Sequence, residues 1–392
     1  MNEKKIPVNP LVLKWARETA GLDVMELALR MKKHEETIIE WEKGISTPTY
    51  PQLEKLAYTI FKRPIALFFF PEPPKELYPE NSFRTLPDSE IDKLPPYFLK
   101  LFRHAQALQI NLSELSDNRN PAQQNILKDL MFSSNMSHLK IAQEIRAYLK
   151  IDLNMQKSIR NTDDAFKLWR NAIEEKGIFI FKDAFKNDDI SGFCIYDEVF
   201  PIIYINNSLP KTRQIFTIFH ELAHLLFKTG GIDQNNIDYF KLLSGSDKQI
   251  EILCNKVSAS FLVPNVDFRK QIRNLDITEE NISNLAGSYC VSREVILRKY
   301  LDLNLINKAQ YNAYSAKWNN EAKEIQAQKK KKPGGNPYAT KAAYLGDNYL
   351  KLVFKKYYQN IISQDQLASY IGMKADKVLN IEPFLYKEGM VV

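Results

Sequence analysis

The sequence predicts an α+β fold, mainly α, on three observations. Apolar residues recur at three- and four-residue spacing along most of the 392 residues, the period of a helix with one buried face. Three short β-rich runs, Ile178–Phe181, Gly192–Tyr196 and Pro201–Ile205, fall between helical stretches, the pattern of a mixed domain with a small sheet. Proline and glycine clusters punctuate the chain at Pro71-Glu72-Pro73-Pro74, Pro95-Pro96 and Gly334-Gly335, where a helix does not readily continue. They predict an N-terminal helical module at 1–74, a helical linker at 75–138, a mixed domain at 139–305 and a basic, helical C-terminal domain at 306–392.

With 44% hydrophobic and 26% charged residues, 13 Gly, 19 Pro and 3 Cys, the chain has the balance of folded domains. Its length suffices for two to four domains of roughly 100–200 residues each. A disulfide scaffold, a collagen-like repeat and a disordered chain are excluded. Cys194, Cys254 and Cys290 are odd in number and lack C-x-x-C spacing, so they are expected as buried small hydrophobes in a reducing compartment. The opening MNEKKIPVNP has no apolar signal core, and the longest apolar run, Ile65–Pro71, is far below the ~18 residues that suggest a membrane span. A cytoplasmic location without a membrane partner is expected. The net charge of +7 comes from one segment, Lys317 to Tyr358, which holds 10 Lys against 3 acidic residues. Such a segment is a nucleic-acid footprint or a solvated linker, and Lys329–Lys332, running into Pro333-Gly334-Gly335, reads as linker.

In the N-terminal module, Pro10 to Ala20 reads as a helix ended by Gly21, Asp23 to Met31 as a second, and Glu35 to Lys43 as a third ended by Gly44. Leu27, Ile38, Trp41, Leu53 and Leu56 are its expected core. A Leu-Ala pair recurs at Leu27-Ala28, Leu285-Ala286 and Leu367-Ala368, each leading six residues on to a new helical stretch at His34, Ser292 and Lys374. Because Ala permits close packing across a short turn, each is a candidate helix-turn-helix, the first being the strongest. Phe98, Leu101, Phe102, Ala105 and Leu108 then mark a connecting helix, and Ala142–Leu149 and Asp164–Lys176 are helices ahead of the strands.

After the strands, Ser208 is placed to cap a helix over Pro210–Lys228, with an apolar stripe through Ile215, Ile218, Phe219, Leu222, Leu225 and Leu226 and a stop at Gly230-Gly231. It carries His220-Glu221-Leu222-Ala223-His224. Imidazoles four residues apart lie one turn above each other on one helix face, which lets both bind a single Zn2+ at ~2.0–2.1 Å. Glu221, rotated ~100° from His220, reaches a water on the metal without displacing it. A catalytic zinc takes three protein ligands and keeps one position open. The remaining histidines, His34, His104 and His138, all lie upstream, and Gly230 stands ten residues after His220, so a carboxylate is expected.

Ser246-Asp247-Lys248-Gln249 opens a helix that runs to Leu262, before Pro264. Ile250, Leu253, Val257 and Phe261 form its expected packing face, with Glu251, Cys254, Asn255 and Ser258 on the adjoining stripe. Glu251, 27 residues after His224, is the candidate third ligand; Asp238, Asp247 and Cys254 are its rivals. Arg213 and Thr217 precede His220 on the same face, and Asn255 follows Glu251 by one turn. Structural pairing, rather than a part in the chemistry, is expected for each.

These residues together resemble the ImmA/IrrE family of metallopeptidases, in the version with an N-terminal Xre-type helix-turn-helix. The resemblance rests on Gly192-Phe193 and Pro201-Ile202-Ile203-Tyr204-Ile205-Asn206, and on Phe216-Thr217-Ile218-Phe219 leading into the histidine motif. It continues in Glu251-Ile252-Leu253-Cys254-Asn255 and Phe261-Leu262-Val263-Pro264. Where the family's helix usually reads E-x-x-A-N-x-F-A, Cys254 replaces the Ala and Val257 the Phe, both packing changes. The resemblance extends over residues 1 to about 300 and is weak over 306–392. It implies a zincin-like domain whose zinc is held by His220, His224 and Glu251, with Glu221 taking the proton of the attacking water and returning it to the leaving amine. It further implies an endopeptidase whose substrate is a regulatory protein in a transcriptional or stress- or phage-related switch.

An Xre-type module implies DNA binding, and here the sequence departs from that pattern. The positions such a recognition helix offers to base edges are Glu35, Glu36 and Glu40. DNA, with one phosphate charge per ~1.7 Å, repels carboxylates unless neighbours such as Lys32, Lys33 and Lys43 outweigh them. A protein-docking or dimerising role therefore competes with DNA binding, and homo-oligomer formation stays open. Two further readings compete with the peptidase: a DNA-binding transcriptional regulator whose zinc site is structural or sensory, and an assembly subunit that binds protein through its helical modules.

Overall fold

The structure, a computed structural model, describes residues 7–61, 63, 65–74, 96–185, 188–229, 231–234, 245–328 and 335–385. The expected linker sequence at 76–94, Pro95, Gly230, the rival ligand Asp238, and Lys329–Lys332 with Pro333-Gly334 lie outside the described residues. The fold is mainly helical with one small sheet. The described residues fall into two compact units, one ending at His104 and the other beginning at Ala105.

In the first unit α1 (Pro10–Thr19) starts where Asn9 accepts a hydrogen bond from the Leu11 N–H and Pro10 fills the first turn. α2 (Val24–Met31) is opened by a capping box between Asp23 and Glu26. α3 (Glu35–Lys43) is closed by Gly44 in left-handed backbone at φ +72°, where an added Cβ would stand 3.0 Å from Pro10 Cγ. Leu27, Ile38, Leu53 and Leu56 are fully buried and Trp41 nearly so, with α4 (Tyr50–Glu54) completing the cluster. Arg17 ties α1 to α3 by donating to Glu42 at 2.6 Å, and to the following turn by donating to the Leu22 carbonyl at 2.9 Å.

Between α2 and α3, Lys32 takes left-handed backbone at φ +56° and the Lys33 N–H returns to the Ala28 carbonyl at 3.0 Å. The second unit builds the same turn twice. Cys290 sits at φ +55° with the Val291 N–H on Ala286, and Gly372 at φ +72° with the Met373 N–H on Ala368. The three Leu-Ala pairs are thus one backbone motif in which a buried Ala admits the next element. After two of the turns an α-helix follows, Glu35–Lys43 and Arg293–Asp302. After the third the chain makes a 3-10 helix, Val378–Phe384, with Pro383 inside it.

The second unit is built on a sheet of order β1-β3-β2-β4, formed by β1 (Phe179–Asp183), β2 (Ile190–Ile195), β3 (Ile202–Asn206) and β4 (Gly231–Gln234). β1 and β3 are parallel, and β2 runs antiparallel to both of its neighbours. The first three strands coincide with the β-rich runs to within two residues. β4 is not among those runs, since Gly-Ile-Asp-Gln is too short and too polar to stand out from a loop.

The helix Lys211–Leu226 lies across β2, β3 and β4 and shares one core with Cys194, Ile203 and Ile205. Gly192 makes this approach feasible: a Cβ there would stand 2.7 Å from Thr217 Cγ2 and 2.8 Å from the Tyr204 carbonyl oxygen. The helix starts at Lys211 with Pro210, not Ser208, at the cap position. It ends at Leu226 ahead of the glycines, because Lys228 turns the chain at φ +56° and the Lys228 N–H closes on the Leu225 carbonyl.

The helix Gly245–Leu262 packs between Lys211–Leu226 and the helix His138–Leu149, and so is covered on two sides. Its expected packing face is therefore rotated. Glu251, Cys254 and Ser258 lie innermost beside Val257 and Phe261, while Ile250 and Leu253 stand at the margin. The C-terminal helices Pro337–Leu345 and Asp347–Tyr358 belong to the same unit, with Phe181 and Tyr349 meeting edge to face at 5.3 Å. The expected boundaries at 138/139 and 305/306 fall inside this unit.

Candidate metal centre

His220 and Glu221 lie past the midpoint of Lys211–Leu226 and His224 in its last turn, all three buried, and Glu251 enters from the facing helix. His220 Nε2 lies 3.1 Å from Glu251 Oε1, and His224 Nε2 lies 3.0 Å from Glu251 Oε2. The two Nε2 atoms are 3.1 Å apart. Such lone pairs face one another stably only around a shared proton or a cation. Ligand atoms at the corners of a tetrahedron with ~2.0–2.1 Å bonds stand ~3.3 Å apart, so this donor set fits a zinc-sized ion with small adjustment.

Among the described residues, His220, His224 and Glu251 are the group of potential metal donors that gathers in this way, all within 4.8 Å. Asp247 lies one turn before Glu251 and does not join it. Nor does Cys254, whose thiol is pushed well up by burial and then by the charges of Glu251 and Glu221, and so stays protonated. Thr229 holds one ring in the orientation a ligand needs. It accepts from His224 Nδ1 at 3.2 Å while donating to the His224 carbonyl at 3.0 Å, which leaves Nε2 with a free lone pair.

The electrostatics follow from burial and proximity. Burial opposes a charge on His220, but Glu251 and then Asp233 outweigh it and hold its pKa at about 9. Burial likewise opposes the Glu251 charge, yet His220 and His224 keep that carboxyl well below the usual carboxylate range. Glu221 is raised by burial and by Asp233, against lowering by the two histidines and by the Cys194 thiol. Both Glu221 oxygens and His220 Nδ1 are buried without a nitrogen or oxygen partner. A native fold seldom leaves a buried carboxylate so placed unless something else is to meet it.

The residues expected to pair structurally do so. Arg213 donates to Asp233 at 2.7 Å and to Ser191 at 2.9 Å, and Thr217 donates to the other Asp233 oxygen at 2.8 Å. Asn255 Nδ2 donates to the Glu251 carbonyl at 3.0 Å. Asp233, Ser191 and Thr229 were not singled out by the sequence, and Cys194 was expected only as a buried small hydrophobe. The one available signal was an Asp inside Gly231-Ile232-Asp233, following an apolar helix.

The fold and the site together define a metallopeptidase-like domain: a small mixed sheet, a helix across it with two histidines one turn apart, and a carboxylate from a second helix. Residues 173–300 match the model of the Peptidase_M78 family, described as an IrrE N-terminal-like domain. All the metal-donor candidates lie within that span. No curated protein matches the chain. Among the described residues no helix is long and apolar enough to cross a membrane.

Proposed function

We propose that the second unit is a zinc-dependent endopeptidase that cleaves a regulatory protein. The observation that carries this reading is the buried triangle of His220, His224 and Glu251 with the Glu221 carboxylate, which has no nitrogen or oxygen partner, on the same helix as the histidines. The IrrE N-terminal-like match over 173–300 supports it. His220, His224 and Glu251 hold the ion, and zinc, when bound, supplies Lewis-acid polarisation of the scissile carbonyl and acidifies water. Glu221 takes the proton of the attacking water and delivers it to the leaving amine, a role that its raised pKa favours. Thr229 keeps His224 in the ligating tautomer, and the Asp233 network locks the helix to β4.

In this reading the substrate belongs to a transcriptional or stress- or phage-related switch, and the first unit docks protein rather than DNA. Glu35, Glu36 and Glu40 are all exposed on α3, where a DNA backbone would meet three carboxylates. The test is metal analysis and proteomics together. Wild-type protein is expected to hold about one zinc, and Glu221→Gln to keep it while losing ~100-fold or more in cleavage, since it removes a general base. Cellular proteins that vanish with the wild type and persist with Glu221→Gln identify the substrate. No bound divalent metal after growth in zinc-replete medium sinks the reading.

A further inference from the structure

We propose that a cleft of about 810 Å³ beside the metal centre is the subsite that receives an extended segment of the substrate carrying acidic and bulky apolar side chains. This rests on the peptidase reading, which it deepens by giving the substrate a chemistry. The near wall is made by the two helices that bear the metal-donor residues. Phe216 stands one turn before His220, Ile252 follows Glu251 directly, and Asn255 stands one turn beyond Glu251. One turn is ~6 Å of rise, or about two residues of extended peptide. A chain with its scissile bond at the metal therefore lays side chains two or more residues away into the cleft.

The far wall comes from the helices Arg293–Asp302 and Lys308–Gln328 and sets the chemistry. Three arginines lie over three rings: Arg213 at 5.8 Å from Phe216, Arg293 at 4.6 Å from Trp318, and Arg298 at 6.0 Å from Tyr311. Arg213, on the near wall, is held by Asp233 and Ser191, so the cations the lining offers are Arg293, Arg298 and Lys256, beside the two carboxylates Glu294 and Asp302. Arg293 and Arg298 are paired with Glu321 and Asp302, but their side chains stay 37% and 53% exposed. Exposed pairs contribute little, so an incoming carboxylate competes with them on even terms. Lys256 is exposed and has no ion pair among the described residues. The rings and Ile252, itself 40% exposed, supply the apolar surface between these charges. A guanidinium lying over a ring turns its donor edge outward, where a substrate carboxylate can bind it in bidentate fashion in place of the exposed pair it holds.

The test uses full-length Glu221→Gln protein and two fluorescein-labelled octapeptides, one alternating Glu with Leu and Phe, the other with Lys in place of Glu. By anisotropy the acidic peptide is expected to bind at least ~tenfold more tightly, a difference worth ~1.4 kcal/mol. Arg293→Glu combined with Arg298→Glu is expected to lose that tenfold, and Lys256→Glu, which breaks no ion pair among the described residues, about threefold. The lysine variant keeps the test valid if the double variant does not fold. Equal binding of the two peptides, or wild-type affinity in folded variants, overturns the proposal. Hydrolysis is scored separately on the wild type. Acidic-selective binding without cleavage supports the cleft and tells against the peptidase reading; cleavage that ignores the variants does the reverse.

Discussion

Lys182 shows how a single side chain records the cost of its place in the fold. It lies on β1 at 7% exposure, with Nζ 4.6 Å from the Phe166 ring centre and Lys211 and Arg170 close by. Burial first, then those two cations, lower its pKa to about 7, while Asp163, paired with Lys211 at 3.1 Å, opposes the shift. An unfolded lysine titrates at ~10.4. Between those values the unfolded chain binds more protons than the folded one, so this group makes stability rise with pH from 7 towards 10. Below pH 7 the cost of the buried charge is borne in full. Lys182→Met is therefore expected to be more stable than the wild type at pH 6, on the order of 2 kcal/mol, with the gap closing by pH 10. Urea denaturation at pH 6, 8 and 10 reads the difference directly, and parallel stability curves would count against it.

At the scale of elements, the seat of the histidine helix depends on a missing side chain. A methyl group at Gly192 would meet Thr217 Cγ2 at 2.7 Å and the Tyr204 carbonyl oxygen at 2.8 Å, and the second of these is backbone that cannot swing aside. Gly192→Ala is expected to cost ~1–3 kcal/mol and to lower the melting temperature by several degrees. Unchanged thermal unfolding would show that helix and sheet slide apart freely. The same helix shows what the sequence reveals. His220 and His224 were legible because a four-residue spacing has one meaning on a helix, and the Glu251 helix because its apolar period survives in isolation. The tilt that makes Glu251, Cys254 and Ser258 its innermost stripe was not legible, since it results from cover on two sides by helices distant in sequence. β4 and Asp233 were hidden for a related reason. Four residues carry no period, and a buried aspartate makes sense only once Arg213 and Thr217 are beside it. The Leu-Ala repeats mark the left-handed turns at Lys32, Cys290 and Gly372, but Pro383 decides that the third continues as 3-10 helix.

Over the second unit as a whole, one guanidinium joins the C-terminal helices to the sheet that carries the metal centre. Arg170, on the helix Thr162–Glu174, donates to Glu174 at 2.9 Å, to the Ile180 carbonyl of β1, and to the carbonyls of Ala343 and Leu345 at 2.9 and 2.8 Å. The last two close the helix Pro337–Leu345, whose C-terminal dipole favours a cation there. Gly346 follows at φ +86°, and any Cβ on it would collide with the same guanidinium. Glu174 completes the joint by accepting from the Ile180 N–H at 3.1 Å and from Asn348 at 2.7 Å. Burial raises the Glu174 pKa and Arg170 opposes that rise, so losing the arginine pushes it higher still. Arg170→Met thus leaves a buried acid and three carbonyls without this donor, at ~3–5 kcal/mol. Adding Glu174→Gln replaces the buried acid that has lost its partner and is expected to recover part of that loss, a coupling a double-mutant cycle measures. Hydrogen exchange locates the effect. In Arg170→Met, residues 337–371 should exchange faster than β2 and β3, because the joint opens before the core does. If those helices exchange at the wild-type rate, their attachment rests on apolar contacts such as Phe181 with Tyr349, and Arg170 serves its own helix alone.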